Sequence, residues 1–120
     1  MQPIIKLVRH GESQSNVNLD ILRSVGDHAV PLTPRGEAQA AEVGALLGRD
    51  FVAGSLTYAS PYLRSRQTLA GIFRGAGLPP SGPSYEDPRL REVDHGYELD
   101  VSEQEALRKK HGWFYYRFRG

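Results

Sequence analysis

Short apolar runs and longer amphipathic stretches alternate along the chain. Residues 4–8 form an apolar run that is rich in β-branched side chains and is interrupted only by Lys6. Such a run predicts a buried strand. Residues 55–59 carry a similar short pattern and predict a second strand.

Two dipeptides predict where helices begin. Thr33-Pro34 suits an N-cap followed by a first helical residue, and with the glycine after Leu47 it predicts a helix over 34–47. Ser60-Pro61 gives the same pattern and predicts a second helix over 61–75. In the first helix the residues that recur at helical spacing are Ala38, Ala41, Ala45 and Leu46. In the second helix the positions expected to face inward are Leu63, Thr68, Ile72 and Phe73.

The other segments carry weaker patterns. Residues 13–31 are polar and irregular, with a helical turn or two predicted from Val17 to Leu22. Residues 77–83 are rich in glycine and proline, which predicts a connection. The later predictions are a short extended segment within 88–98, a helix over 102–110 that opens with a capping box, and an aromatic tail at 113–118 that packs on a core.

The order of these elements predicts the fold class. A strand, a helix, a strand and a helix in succession are typical of an α/β fold with parallel strands. Two strands make a poor sheet, because both faces of a parallel sheet need covering and a two-stranded unit is marginal. The pattern therefore predicts an incomplete α/β domain.

Composition narrows the choice of partner and compartment. The chain has 120 residues, which suits one domain, and its net charge of +1 gives no reason to expect a nucleic acid or membrane partner. It has no cysteine, which excludes disulfides and a cysteine nucleophile. Because the sequence shows neither a signal-peptide pattern nor an apolar run of membrane-spanning length, a cytoplasmic protein is predicted.

The triplet Arg9-His10-Gly11 follows the first predicted strand, at the carboxyl end where open α/β sheets bind ligands. A neutral histidine is a nucleophile, a guanidinium matches two phosphate oxygens, and glycine lets the backbone approach a ligand. On these three residues alone, a structural histidine beside a surface arginine is the simpler interpretation, since so short a motif is weak.

Four sequence blocks occur in order along the chain. They are Arg9-His10-Gly11-Glu12-Ser13 with Asn16, Leu32-Thr33-Pro34-Arg35-Gly36 with Gln39-Ala40, Ser60-Pro61 with Arg64 and Gln67-Thr68, and Leu90-Arg91-Glu92 with Gly96. Together they resemble the blocks of the histidine phosphatase superfamily, which includes the phosphoglycerate mutases. The resemblance implies a three-layer α/β/α fold with a mainly parallel sheet, of which residues 1–120 would be the N-terminal portion, incomplete at the C-terminus.

The resemblance also implies roles for the residues of a phosphate site. His10 would attack phosphorus and form a phosphohistidine, while Arg9 and Arg64 would hold the non-bridging oxygens. Gly11 and Asn16 would line the substrate site, with Asn16 donating a further hydrogen bond. No metal or other cofactor is implied, since the arginines supply the positive charge.

Glu92 matches the family's general acid, which would protonate the leaving alcohol and then help to deprotonate water. The family's site also uses a second histidine after a later apolar strand. His95 precedes Gly96 but does not suit this role, because its segment is too charged for a buried strand and already matches the Glu92 block. The second histidine is therefore expected beyond Gly120.

Three functional hypotheses follow from the resemblance. The first is a phosphatase that hydrolyses phosphate monoesters, with a small-molecule phosphate ester as its partner. The second is phosphoryl transfer of the mutase type, which additionally requires water to be excluded. The third is an inactive phosphate-binding or interaction module, because the second histidine is missing. The open edge of an incomplete sheet also predicts self-association into a homo-oligomer.

Overall fold

The computed structural model describes residues 2–92. The chain forms two compact units, Met1–Leu90 and Arg91–Gly120, and the helices and strands of the described residues all belong to the first. The helix predicted over 102–110 and the aromatic tail at 113–118 lie outside the described residues, as does most of the segment predicted as extended within 88–98.

Helix α2, Pro34–Leu47, forms where the cap pattern predicts it. Thr33 is its N-cap, and the Thr33 hydroxyl oxygen accepts a hydrogen bond from the backbone N–H of Gly36 at 3.1 Å. This bond satisfies one of the N–H groups that a helix start leaves without a partner. Gly48 ends the helix with a φ of +85°, a conformation that side chains rarely adopt.

Helix α4, Leu63–Gly75, ends as predicted but begins at Leu63 rather than at Pro61. Ser60 does not cap it: the Ser60 hydroxyl oxygen accepts a hydrogen bond from the N–H of Tyr62 at 3.3 Å and closes a turn. Tyr62 keeps an extended backbone and is the N-cap. The serine and proline therefore build the turn that leads into the helix, and the prediction placed the helix start too early.

Helices α2 and α4 pack against each other through small residues. The buried positions of α2 are Gly36, Ala40 and Gly44, which lie one turn apart on a single face. The residues that recur at helical spacing do not form this face, since Ala38, Ala45 and Leu46 are exposed and Ala41 is only partly buried. The apolar pattern missed the packed face because glycine contributes no apolar side chain. In α4 the predicted positions Thr68, Ile72 and Phe73 are buried, and Leu63 is partly buried.

The two helix backbones approach so closely that side-chain carbon is excluded at two glycines. A Cβ atom on Gly44 would collide with the backbone oxygen of Ile72, and one on Gly75 would collide with the backbone oxygen of Ala41. Backbone oxygens cannot rotate out of the way as a flexible side chain can. The packing of α2 on α4 therefore requires glycine at both positions.

We expect Gly44→Ala to destabilise the protein, although alanine is the better helix former. Helix propensity alone would favour alanine by about 1 kcal/mol, whereas overpacking a tight contact costs about 1–3 kcal/mol. Urea unfolding followed by circular dichroism measures the free energy of unfolding. The exposed neighbour serves as control, because Ala45→Gly changes helix propensity alone. A Gly44→Ala variant more stable than the wild type would contradict the close backbone contact.

The apolar core of the first unit lies between α2, α4 and the short helix α3, Arg49–Ala53. Its buried members are Val52, Ile72, Phe73 and Ala76, and the partly buried side chains packed against them are Val43, Leu47, Phe51, Leu69 and Leu78. Burial of this cluster stabilises the α2–α4 pair, which carries the polar residues of the candidate site on its N-terminal turns.

A two-stranded parallel sheet joins β1, Tyr58–Ala59, to β2, Tyr85–Glu86. Tyr58 pairs with Tyr85 across the strands, and their exposed rings stack with centroids 5.4 Å apart. The strand predicted at 55–59 is thus confirmed over its last two residues. A 3₁₀ turn, Pro88–Leu90, follows β2 where an extended segment was predicted to begin.

Residues 4–8, which were predicted as a buried strand, form no strand and are exposed. Ile4 is 73% exposed and Leu7 is 93% exposed. A strand needs a neighbour whose backbone groups complete its hydrogen bonds, and no strand within residues 2–92 pairs with this segment. Apolar composition alone could not supply the missing backbone partner.

A cavity of about 1160 Å³ is lined by residues 4–10, by residues 54–60 and by residues of α4.

The segment 13–31 is more ordered than its polar sequence indicates. Helix α1, Gln14–Val17, is followed by 3₁₀ turns at Leu19–Arg23 and Asp27–Ala29, in keeping with the helical turns predicted from Val17 to Leu22. Ser13 and Val30 are fully buried at its two ends. The backbone N–H of Gln14 donates to the carbonyl oxygen of Pro31 at 2.9 Å, which closes the segment into a loop.

Helices and a parallel sheet make the first unit an α/β structure, as the sequence predicts. The described residues contribute only β1 and β2 to the sheet. The three-layer α/β/α arrangement therefore stays a prediction. Within residues 2–92, no helix has both the length and the apolar character that crossing a membrane requires.

Candidate active site

His10 is half-buried and lines the cavity beside residues 54–60. Its Nδ1 atom lies 2.7 Å from the carbonyl oxygen of Gly11. A carbonyl oxygen can only accept a hydrogen bond, so Nδ1 carries the proton. In the neutral ring the lone pair is then on Nε2, which makes Nε2 the nucleophilic atom.

A buried hydroxyl connects the loop after His10 to the start of α4. The backbone N–H of Gly11 donates to Thr68 Oγ1 at 3.0 Å, and the Thr68 hydroxyl donates to the carbonyl oxygen of Arg64 at 2.7 Å. Thr68 is 5% exposed, and its bond to Arg64 is buried, whereas the bond from Gly11 is partly buried. This bridge fixes the backbone next to His10 relative to the helix turn that carries Arg64.

Thr68→Val is expected to remove both bonds while keeping the shape of the side chain. The N–H of Gly11, which is partly buried, would lose its acceptor, and the full cost for a buried group is about 1–3 kcal/mol. Thermal or urea unfolding measures this loss, and Thr68→Ser, which keeps the hydroxyl, should retain most of the stability. Equal stability of the valine variant and the wild type would show that the bridge contributes little.

Gly11 reaches its place through a close backbone contact. A Cβ atom there would collide with the carbonyl oxygen of Gly36 in the first turn of α2. Since the Gly11 N–H donates to Thr68, glycine here serves the packing of the loop on α2 and α4. The predicted role of Gly11 in lining the substrate site stays a prediction.

Two glutamine side chains of the sequence blocks act as structural acceptors. Gln39 Oε1 accepts from the backbone N–H of Glu12 at 2.9 Å, and Gln67 Oε1 accepts from the backbone N–H of Leu32 at 2.8 Å. Each bond links a loop to one of the two packed helices. These residues therefore hold the loops in place, and they need no chemical role to explain their presence.

Asn16 lies in α1 and is exposed. Its Oδ1 atom accepts hydrogen bonds from the backbone N–H of Ser13 at 2.9 Å and from the Ser13 hydroxyl at 3.0 Å. Both bonds use the carbonyl end of the side chain. The amide NH₂ group is the end of the side chain that can donate a hydrogen bond. The predicted role of Asn16 as a phosphate ligand stays a prediction.

Arg64 is 4% exposed and lies in the first turn of α4. Its Nη1 atom donates to the backbone oxygen of Asp27 at 2.7 Å and to Asp27 Oδ1 at 2.9 Å. The guanidinium carbon also lies 4.9 Å from the centre of the Tyr62 ring, in cation–π geometry. A buried charge of this kind is tolerated because it is paired and hydrogen-bonded.

Asp87 lines the same cavity as His10. A side-chain hydrogen bond from Arg89 lowers the pKa of Asp87 to about 2, so the carboxylate is ionised at neutral pH. Because this pKa is lowered on folding, the pairing stabilises the protein at neutral pH, and the stabilisation is lost as the pH falls toward 2. The cavity therefore holds one fixed negative charge besides its basic and neutral groups.

Two predicted site residues are exposed in the structure. Arg9 precedes His10 and is exposed to solvent. Glu92 is also exposed, and it belongs to the second unit. The roles of Arg9 as phosphate ligand and of Glu92 as general acid stay predictions. Within residues 2–92, no group of three or more histidine, aspartate or glutamate side chains could hold a metal ion.

The sequence analysis missed Asp27. It lies in the irregular segment 13–31, outside the four blocks, and an aspartate before a histidine in a polar loop carries no signal of its own. Its contact with Arg64 spans 37 positions of the chain. Only the fold brings these two residues together.

Comparison with known proteins places these residues in a family. The model of the histidine phosphatase superfamily, branch 1, matches residues 5–120. The phosphoglycerate mutase-like protein AT74H of Arabidopsis thaliana is 34% identical over an alignment of 128 residues, gaps included. The match covers 95% of this chain and 45% of the relative.

Two further relatives carry the names of enzymes. The broad-range acid phosphatase DET1 of Saccharomyces cerevisiae is 27% identical, over 58% of this chain and 32% of its own length. The 2,3-bisphosphoglycerate-dependent phosphoglycerate mutase of Methylobacterium radiotolerans is 32% identical, over 88% of this chain and 48% of its own length. The chain thus spans less than half the length of each of these three relatives.

The sequence blocks, the fold and the comparisons agree. The loop after His10 and the helix turn of Arg64 are joined through Thr68, so residues from separate blocks meet in one place. The family match extends over nearly the whole chain. The chain therefore belongs to the histidine phosphatase superfamily, branch 1.

Proposed function

We propose that this chain supplies the nucleophile and a phosphate-binding arginine of an enzyme that hydrolyses phosphate monoesters through a phosphohistidine at His10. The observation that carries the proposal is the 2.7 Å contact between His10 Nδ1 and the Gly11 carbonyl oxygen, which leaves Nε2 as the nucleophilic atom. The proposal is also supported by Arg64, whose backbone is joined to the same loop through Thr68 and whose side chain is buried.

The proposed reaction has two displacements at phosphorus. In the first, Nε2 of His10 forms a bond to phosphorus as the bond to the ester oxygen breaks, and Glu92 gives its proton to the leaving alcohol. In the second, water attacks the phosphohistidine, Glu92 takes a proton from that water, and the N–P bond breaks. Inorganic phosphate and the original form of His10 result.

Positive charge and hydrogen bonds would stabilise the transferred group. Arg64 and Arg9 would bind its non-bridging oxygens, and the amide NH₂ of Asn16 would donate a further bond. Positioning and charge stabilisation supply most of the catalysis of phosphoryl transfer. The proposed reaction therefore needs no metal ion, and its substrate is a small-molecule phosphate ester.

Hydrolysis is proposed over mutase-type transfer because it requires fewer groups. A mutase must keep the phosphoryl group on the enzyme and exclude water until an acceptor binds. The relatives include one named as an acid phosphatase and one named as a phosphoglycerate mutase, so their names favour neither reaction over the other.

The experiment is to incubate the protein with p-nitrophenyl phosphate in the presence of a metal chelator and to measure inorganic phosphate and p-nitrophenol. We expect equal amounts of both, because each phosphoryl group passes to water. Adding 3-phosphoglycerate tests the alternative: phosphoryl transfer to it would lower the phosphate released per p-nitrophenol. Tight binding of phosphate without turnover would instead favour an inactive phosphate-binding module.

A further inference from the structure

Arg64 is the only charged residue that is buried among residues 2–92. An Nη1 group carries two N–H donors, and Asp27 supplies an acceptor for each of them, one from its backbone and one from its carboxylate. A single residue of the 13–31 segment therefore satisfies this end of the guanidinium completely. The side chain of Arg64 is 5% exposed, whereas that of Asp27 is 37% exposed.

The opposite edge of the guanidinium has no hydrogen-bond acceptor among residues 2–92. Within the described residues, neither Nε nor Nη2 of Arg64 makes a hydrogen bond, and the Tyr62 ring packs against the guanidinium. Three N–H donors are thus buried without an acceptor, which is unfavourable unless a ligand supplies one. The Nε and Nη2 groups form the fork that binds two oxygens of a phosphate.

We propose that Asp27 is a positioning residue, which holds Nη1 so that the Nε–Nη2 edge of Arg64 is presented to the phosphoryl group. The proposal rests on the proposed function for the identity of the ligand. Without Asp27, the guanidinium could rotate so that Nη1 also donates to the ligand. The Nε–Nη2 edge would then be only one of several edges that compete for the phosphate oxygens. Fixing one end of the guanidinium before the ligand binds reduces the entropy that binding must remove.

The place of Asp27 in the fold suits this role. Asp27 begins the 3₁₀ turn Asp27–Ala29. The residue that follows this turn, Val30, is completely buried. The two ends of the 13–31 loop are joined by the hydrogen bond from the backbone N–H of Gln14 to the carbonyl oxygen of Pro31. Asp27 is therefore anchored close to a buried residue rather than carried at the tip of a free loop.

The test compares two substitutions of Asp27. Asp27→Asn keeps a side-chain oxygen that can accept from Nη1, whereas Asp27→Ala removes it and leaves only the backbone carbonyl. The probes are inorganic phosphate, whose Kd is measured by calorimetry, and p-nitrophenyl phosphate, whose kcat and KM are measured at steady state. We expect Asp27→Ala to raise the phosphate Kd and KM about tenfold, and Asp27→Asn to stay within about threefold of the wild type.

A double-mutant cycle shows whether Asp27 acts through Arg64. In the Arg64→Ala background, Asp27→Ala should change the phosphate Kd by less than about twofold, because the group it positions is gone. A merely structural role would give the same loss in both backgrounds. Equal phosphate affinity of Asp27→Ala and the wild type, or a tenfold loss that persists without Arg64, would overturn the proposal.

These outcomes also separate the proposal from the proposed function. A wild-type protein that binds phosphate but releases none from the ester would contradict the phosphatase activity, and the phosphate Kd values would still decide the role of Asp27. A wild-type protein that does not bind phosphate would overturn both. Thermal unfolding of each variant identifies any loss of affinity that comes from unfolding.

Discussion

His10→Asn is expected to lower the release of phosphate from p-nitrophenyl phosphate by about 10³-fold or more, the loss typical when a covalent nucleophile is removed. Asparagine has no atom with the nucleophilicity of Nε2. Its side-chain NH₂ group can still donate to the Gly11 carbonyl oxygen, as Nδ1 does in the wild type. The variant should therefore keep the loop geometry while losing the chemistry.

Two comparisons make this prediction specific. His28→Ala removes an exposed histidine that no role is proposed for, and it should leave the rate unchanged. Circular dichroism and thermal unfolding should show that His10→Asn folds like the wild type. A folded His10→Asn variant that retains more than about a tenth of the wild-type rate would contradict a phosphohistidine at His10.

Arg64→Ala is expected to lower kcat/KM by about 10²–10³-fold, the range typical of losing one donor that stabilises transition-state charge. The effect should be large because Arg64 is 4% exposed and acts where water screens charge poorly. Arg64→Lys should recover little of the loss, since an ammonium group cannot form the planar fork. Steady-state kinetics with p-nitrophenyl phosphate measure both variants.

Arg66 provides the matched control on the same helix. Its side chain is 52% exposed, and its Nε atom lies 3.9 Å from Glu86 in a surface ion pair. Exposed pairs of this kind contribute little to stability. Arg66→Ala should therefore leave kcat/KM within about twofold of the wild type. An equal loss in the two variants would mean that general positive charge, and not the position of Arg64, supports the reaction.

Local chemistry made helix α2 predictable from the sequence. The Thr33 cap, the proline at the first helical position and the glycine at the end act within a few residues of one another. The same reasoning placed α4 but misjudged its start, because the Ser60-Pro61 dipeptide builds a turn whose geometry depends on Tyr62. Boundaries that depend on turns are harder to predict than helices with a direct cap.

Contacts between distant segments were not predictable. The packing of α2 on α4 uses a glycine face that an apolar pattern cannot reveal. Residues 4–8 have the composition of a buried strand, yet a strand exists only where another backbone pairs with it. The bond between Asp27 and Arg64 likewise depends on the fold alone.

The candidate site was predictable to the extent that the sequence blocks carried it. The blocks predicted His10 and Arg64 as site residues, and Thr68 joins the loop after His10 to the helix turn of Arg64. They could not show that the Gly11 carbonyl sets the tautomer of His10, because that contact depends on the side-chain rotamer. The general-acid role of Glu92 and the place of a second histidine stay predictions.

The most direct test of a phosphohistidine at His10 is the intact mass of the protein after brief exposure to p-nitrophenyl phosphate, with a quench at alkaline pH that preserves phosphohistidine. We predict that a fraction of the wild-type protein gains one phosphoryl group, that peptide mapping places it on His10, and that His10→Asn gains none. Phosphate release by a wild-type protein that never gains mass, or a gain that persists in His10→Asn, would contradict the account.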